Sequence, residues 1–239
     1  LYIAHMTCRE AIAELQKAKG TGQRVSGETC THYLTTTKEV LDNPDFNEAA
    51  KFVCSPALRD REDCEALWQA LSDGLLTAVS SDHCGIDVAE LKQAGRNDFT
   101  QIPNGSPGAG DRLHMVWTEG VCTGKLTRQK FVDVIATQPA KINGIYPRKG
   151  TLAVGSDADV VIFDPNYEGT VHLADNPNGV DYNLYEGRRQ SGRVETVLLR
   201  GQVVVENAKF VGRYGQGKFI PANTVSYTHL RAHETLMNL

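Results

Sequence analysis

His5 and Asp82 are the residues of this chain whose types and positions could do chemistry together. His5 closes an apolar run at residues 1–4 that reads as a short strand. Asp82 follows a second strand pattern at residues 75–80 and precedes His83 and Cys84. A carboxylate at a strand end can bind a divalent metal and can take a proton from water that the metal acidifies, since both tasks need an exposed acceptor. A neutral imidazole is a common partner ligand for zinc in such a site. Each residue also has a structural reading. A histidine closing a strand is commonly a satisfied packing residue, and an aspartate there can cap the following turn. Position alone leaves both readings open. His83 and Cys84 are adjacent, so on a strand they point to opposite faces and read as packing residues.

The elements that would position these groups alternate between strand and helix. Thr7-Cys8-Arg9-Glu10 fits a capping box, with Thr7 as N-cap and Glu10 three residues on. Ala11, Ile12, Leu15 and Ala18 follow at helical spacing, and Gly20 suits the helix end. Residues 23–28 read as the next strand. Phe52-Val53-Cys54 is a further apolar run, stopped by Ser55-Pro56. The spacing predicts a helix over 61–72 with Ala66, Leu67, Ala70 and Leu71 inward. This alternation predicts parallel βαβ units, and in barrels of that kind the chemistry gathers where strands give way to loops. His5, Ser55 and Asp82 all fall at such points. The Gly/Pro-rich stretch at residues 102–108 predicts a long loop over the site. Helical patterns return at 112–120, 127–137 and 139–144. From Lys149 the pattern turns to β: a turn-rich segment to Asp159, a strand at 160–163, and a hairpin of 194–199 with 202–205 about Arg200-Gly201.

Composition limits the partners. With 41% apolar and 23% charged residues the chain is globular, and its net charge of −4 offers no basic face to nucleic acid. No apolar run reaches the roughly 20 residues of a membrane span, and no secretory signal is visible. Cys8, Cys30, Cys54, Cys64, Cys84 and Cys122 form no CxxC pair, which argues against a zinc ribbon or disulfide framework and for a reducing, cytoplasmic setting. Gly105, Gly108 and Gly110 lack the Lys-Ser/Thr of a phosphate loop. His229 and His233, with Glu234 adjacent, stand one helical turn apart as metal ligands can. Residues 223–239, however, have no compositional continuity with the rest and resemble a translated adapter read-through, so this segment is expected to be a non-native tail and the histidine pair is set aside.

Several segments together resemble the dihydropyrimidinase and D-hydantoinase family of the amidohydrolase superfamily. They are Tyr2-Ile3-Ala4-His5-Met6-Thr7, Val53-Cys54-Ser55-Pro56-Ala57-Leu58-Arg59, Ser81-Asp82-His83-Cys84, the run from Asp98 through Ile102-Pro103-Asn104-Gly105, Tyr146-Pro147-Arg148-Lys149-Gly150, and Val154-Gly155-Ser156-Asp157-Ala158-Asp159. The resemblance implies an α/β fold: the C-terminal part of a metal-dependent (β/α)8 (TIM-like) barrel over residues 1–148, then β-sandwich strands and a C-terminal arm over 149–222. It implies that His5 and Asp82 are metal ligands, that Asp82 is also the catalytic acid/base, and that Ser55 and Asn104 bind the substrate. The implied cofactor is Zn2+, two ions per subunit, bridged by a carboxylated lysine that these 239 residues do not include. The family's His-x-His pair and a further histidine are also not included, so the chain is expected to be a fragment, inactive alone, of a homotetrameric enzyme that opens cyclic amides. Two rival readings stand beside this one: an allantoinase- or dihydroorotase-type hydrolase, and a non-enzymatic dihydropyrimidinase-related assembly protein. Retention of both His5 and Asp82 speaks against the last.

Overall fold

The computed structural model describes residues 1–222 and contains two sheets joined by a layer of helices. The segment 223–239, with His229, His233 and Glu234, lies outside the described residues. The first sheet is parallel, in the order β1 (Tyr2–Ile3), β2 (Ser26–Cys30), β3 (Ala78–Ser80). Between β1 and β2 runs α1 (Arg9–Gly20). Between β2 and β3 run α2 (Thr31–Thr35), α3 (Phe46–Ala50) and α4 (Arg61–Ser72). Parallel neighbours need such crossovers, and the crossovers carry the apolar stripes that cover the sheet. From α1 this is Leu15; from α4 it is Leu67, Trp68, Ala70 and Leu71, all buried against Leu76 and Val79. Each large side chain so buried contributes about 1.5 to 3 kcal/mol. Gly27 is required in β2 because a Cβ there would lie 2.5 Å from the Met6 sulfur.

Two local expectations change. The helix over 9–20 starts from Cys8 rather than Thr7, with no side-chain cap. The Arg9 amide is instead satisfied by the Asp63 carboxylate of α4 at 3.0 Å, which fixes the start of one helix to the start of the other. Thr7 is buried and its hydroxyl accepts from Arg59. The apolar run 52–54 forms no strand. It leaves α3 through a turn, and its backbone bonds are made to a loop rather than a sheet: Gly105 N donates to Val53 O at 3.0 Å.

After β3 the chain follows a long loop and then α5 (Arg112–Val116), α6 (Arg128–Val132) and α7 (Gln138–Ile142). α5 and α6 each run on into a wide turn with i→i+5 bonding, at Trp117–Val121 and Asp133–Thr137. The second sheet is antiparallel, β4 (Val160–Thr170), β5 (Arg189–Leu199), β6 (Gln202–Glu206), β7 (Lys209–Phe210). Arg200 and Gly201, both at positive φ, turn β5 into β6 as expected. Trp117, Phe131 and Phe163 fasten this sheet to the helices, with Trp117 edge-on to Phe163 at 4.8 Å. Buried Thr118 adds a polar clasp: its hydroxyl donates to Ser191 O and accepts from Ser191 N. Among the described residues, no helix is long and apolar enough to cross a membrane.

Candidate functional site

The three parallel strands point their C-terminal ends the same way, and the residues that could do chemistry follow those ends. β1 leads to His5, β2 ends at Cys30, and β3 leads to Asp82. His5 and Asp82 share an unusual backbone. They lie at φ 39° and 44°, in the left-handed region that non-glycine residues rarely adopt; among the described residues the other three are Arg200, Asn207 and Ala208 in the β5–β6–β7 turns. Strain of this kind costs about 1 to 3 kcal/mol and is held where a side chain must be aimed. The two residues singled out from sequence are therefore also singled out by conformation.

Three loops meet around Asp82. Cys84 N donates to Ser106 O at 3.0 Å, which ties the Asp82 loop to the 103–108 loop. Ser106 Oγ donates to Lys51 O at 2.7 Å, and Gly105 N bonds Val53 O, which ties that loop to the segment carrying Ser55. His83 is an acceptor, its Nδ1 taking the Gly108 amide at 3.2 Å. Ser55, Asp82 and Asn104 are all exposed on these linked loops. Asn104 donates to its neighbour Ile102 O at 3.3 Å. Asp82 and Ser55 thus present oxygens to solvent on loops joined by these hydrogen bonds.

Sequence reasoning missed the post that holds two of these loops. Lys92 is fully buried, and its ammonium donates to the carbonyls of Gly105 at 2.8 Å and of Val53 and Pro103 at 3.2 Å each. No salt-bridge partner is found for it among the described residues. Burial pulls its pKa down to about 8. A lone lysine in a polar loop carries no sequence signal of such a role.

It also missed Cys30 and His32. The strand expected over 23–28 runs instead from Ser26 to Cys30, which brings Glu28-Thr29-Cys30-Thr31-His32 to the strand end. A Cys-x-His at that point was the available signal. Cys30 is fully buried with its Sγ 3.2 Å from Ser80 Oγ, and burial pushes its thiol pKa up to about 12. His32, in α2, is 4% exposed and leans on the Tyr33 ring. Burial first, then the neighbouring charge of His5, lowers its pKa to about 4, so its imidazole is neutral. Its Nε2 has no hydrogen-bond partner among the described residues, a deficit worth about 1 to 3 kcal/mol if nothing fills it. One donor atom each from Cys30, His32 and Asp82 lie within 4.8 Å of one another, and no such set of three among the described residues includes His5. Sulfur, nitrogen and carboxylate donors together are those that zinc takes.

Comparison with known proteins follows the same lines. Residues 4–204 match the model of the amidohydrolase family. A D-hydantoinase of Ralstonia pickettii is 48% identical over 220 residues, covering 92% of this chain and 48% of that protein. A dihydropyrimidinase of Arabidopsis thaliana is 38% identical over 227 residues, covering 95% of this chain and 43% of that protein. The solved structure of a D-hydantoinase from a Bacillus sp. AR9 superposes with a TM-score of 0.90 at 46% identity, covering 92% of this chain and 48% of that one. The chain thus spans about half the length of the curated relatives it matches.

Proposed function

The chain belongs to the amidohydrolase family, beside its D-hydantoinase and dihydropyrimidinase members, and from that premise we propose that the whole protein hydrolyses cyclic amides. The substrates are dihydropyrimidines or 5-substituted hydantoins, and the products are N-carbamoyl amino acids. The observation that carries this reading is the shared left-handed backbone of His5 and Asp82 at the ends of two parallel strands. On this reading residues 1–148 contribute to a TIM-like barrel, and the antiparallel strands within 149–222 belong to a β-sandwich.

His5 and Asp82 would hold metal, and two ligands are too few for two zinc ions. The remaining ligands, a carboxylated lysine among them, are assigned to the part of the whole protein that residues 1–239 do not span, so ring opening belongs to the whole protein and not to these residues alone. Zinc bound at this site supplies Lewis-acid polarisation of the ring carbonyl and acidification of the attacking water. Asp82 accepts the proton released as water adds to the carbonyl carbon. It then delivers that proton to the ring nitrogen as the carbon–nitrogen bond breaks, which leaves a carboxylate and a free carbamoyl group. Ser55 and Asn104 hold the ring amide so that the attacked carbon faces Asp82, a positioning role. Lys92 keeps their two loops in register. A homotetramer in the cytoplasm completes the assignment.

The test is a substrate panel on the zinc-loaded whole protein. Turnover of dihydrouracil or a 5-substituted hydantoin, with allantoin and dihydroorotate left intact, is the expected result. Turnover of allantoin or dihydroorotate alone overturns the substrate class, and a protein that purifies without zinc and turns over none of them is an assembly module.

A further inference from the structure

Glu28 has no part in the ring-opening scheme, yet it stands in the middle strand of the parallel sheet, between the strands that lead to His5 and Asp82. The register pairs Tyr2 with Ser26, Glu28 with Ala78 and Cys30 with Ser80. With period two, Tyr2, Glu28, Cys30 and Ser80 share one face, opposite Thr29 and Val79. Strands of a parallel sheet are covered on both faces and read as apolar, so a carboxylate at its centre needs partners. Glu28 has one on each side. Tyr2 Oη donates to its Oε2 at 2.5 Å, and Ser80 Oγ donates to its Oε1 at 2.8 Å. A carboxylate only accepts, so the single Ser80 proton goes to Glu28, and the Cys30 thiol, 3.2 Å from Ser80 Oγ, is the donor in that contact.

The backbone beside His5 is tied to the same strand. Met6 N donates to Glu28 O at 2.8 Å, and Thr29 Oγ1 donates to Met6 O at 2.8 Å. His5 is thus bracketed by Tyr2 and Met6, and Asp82 follows two residues after Ser80. A left-handed backbone at a non-glycine residue persists only where the surroundings over-determine it. We propose that Glu28 is a positioning residue: its carboxylate, reaching Tyr2 on one side and Ser80 on the other, sets the spacing and the left-handed backbones of His5 and Asp82. Its effect on turnover rests on the roles proposed above for those two residues; its hold on their backbones does not.

The first arm of the test needs no turnover. A positive φ brings a residue's amide proton close to its own Hα and gives a strong intraresidue NOE, measured for His5 and Asp82 in the full 239-residue chain. The expected result is a weakened NOE at both residues in Glu28→Met, at His5 alone in Tyr2→Phe, and at Asp82 alone in Ser80→Ala. A residue that merely stabilised the sheet would not divide the effect in this way, and the two single-bond variants keep the test open where Glu28→Met fails to fold. The second arm is turnover of dihydrouracil by the whole protein with zinc in excess. Glu28→Met should lower kcat by about tenfold to a hundredfold and leave KM within about twofold, since the reacting groups move and the loops proposed to hold substrate do not. Glu28→Gln, which keeps one acceptor oxygen, should recover part of that loss. NOEs unchanged in all three variants overturn the hold, and a kcat within about threefold of the unmodified protein overturns the positioning role. An unmodified whole protein that turns over no cyclic amide removes the proposed function instead, and the NOE arm then decides alone.

Discussion

The Lys92 ammonium and the Gly105 carbonyl lie 2.8 Å apart in the protein interior. The same nitrogen reaches Val53 O and Pro103 O, so one side chain joins the segment before Ser55 to the residues that bracket Asn104. Three carbonyls would lose a charged donor on replacement by an apolar chain of similar length. Lys92→Met should therefore cost the 239-residue chain about 3 kcal/mol in urea denaturation. In the whole protein it should raise KM for a cyclic amide more than it lowers kcat, because it disturbs the loops proposed to hold substrate and not Asp82. A stability change below about 0.5 kcal/mol would show that water replaces the ammonium freely.

Lys92 also carries a pH signature. Its pKa falls from 10.5 to about 8 on folding, because burial penalises the ammonium. The unfolded chain keeps a proton that the folded chain sheds across that window, so the folded state gains stability as pH rises from about 8 to about 10.5. The gain is at most about 3 kcal/mol. Measured as unfolding free energy of the unmodified chain minus that of Lys92→Met, the difference should climb over this range. A flat or falling difference contradicts the assignment.

Gly105 and Gly155 separate backbone strain from close packing. Both have positive φ, 125° and 93°, but a Cβ on Gly105 would lie 2.5 Å from Cys84 Cβ, whereas one on Gly155 meets nothing within 4 Å. Gly155→Ala should cost about 1 kcal/mol from strain alone. Gly105→Ala should cost about 3 kcal/mol, since overpacking adds to strain and pushes the Asn104 loop off the Asp82 loop. Equal melting temperatures for the two variants would refute the packing argument.

Much of this architecture was legible in the sequence because it follows from period and punctuation. The helix over 61–72 shows its buried stripe in Leu67, Ala70 and Leu71, and the Arg200-Gly201 turn announces its hairpin. Other features depend on contacts distant along the chain. Arg9 is capped from Asp63, 54 residues away, so the local Thr7–Glu10 pattern misleads. Residues 52–54 are apolar like a strand but pack as a loop, because the 103–108 loop takes their backbone bonds. At the site, His5 and Asp82 were visible as strand-end residues of the right type. Cys30 and His32 were hidden by a strand boundary placed two residues short, and Lys92 by having no local pattern at all.

The buried Asp111 carboxylate fixes the 176–183 segment to the start of α5. It accepts from Asn176 at 2.8 Å on both oxygens, from Asn178 at 3.2 Å and from Asn183 at 3.1 Å. Asp111→Ala leaves three amides without their acceptor and should cost about 3 kcal/mol. Asp111→Asn keeps one acceptor oxygen and should cost roughly half of that. Urea denaturation of the two variants side by side checks the order, and an Asn variant as unstable as the Ala variant contradicts it.

The most direct test of the central claim is turnover of a cyclic amide by the whole protein carrying Asp82→Asn. The amide keeps the size and shape of the side chain but holds metal poorly and cannot shuttle a proton. The account predicts a fall in kcat of about a hundredfold to ten-thousandfold with zinc supplied in excess. Turnover within about threefold of the unmodified protein would contradict it, because proton transfer at Asp82 could not then be part of the reaction.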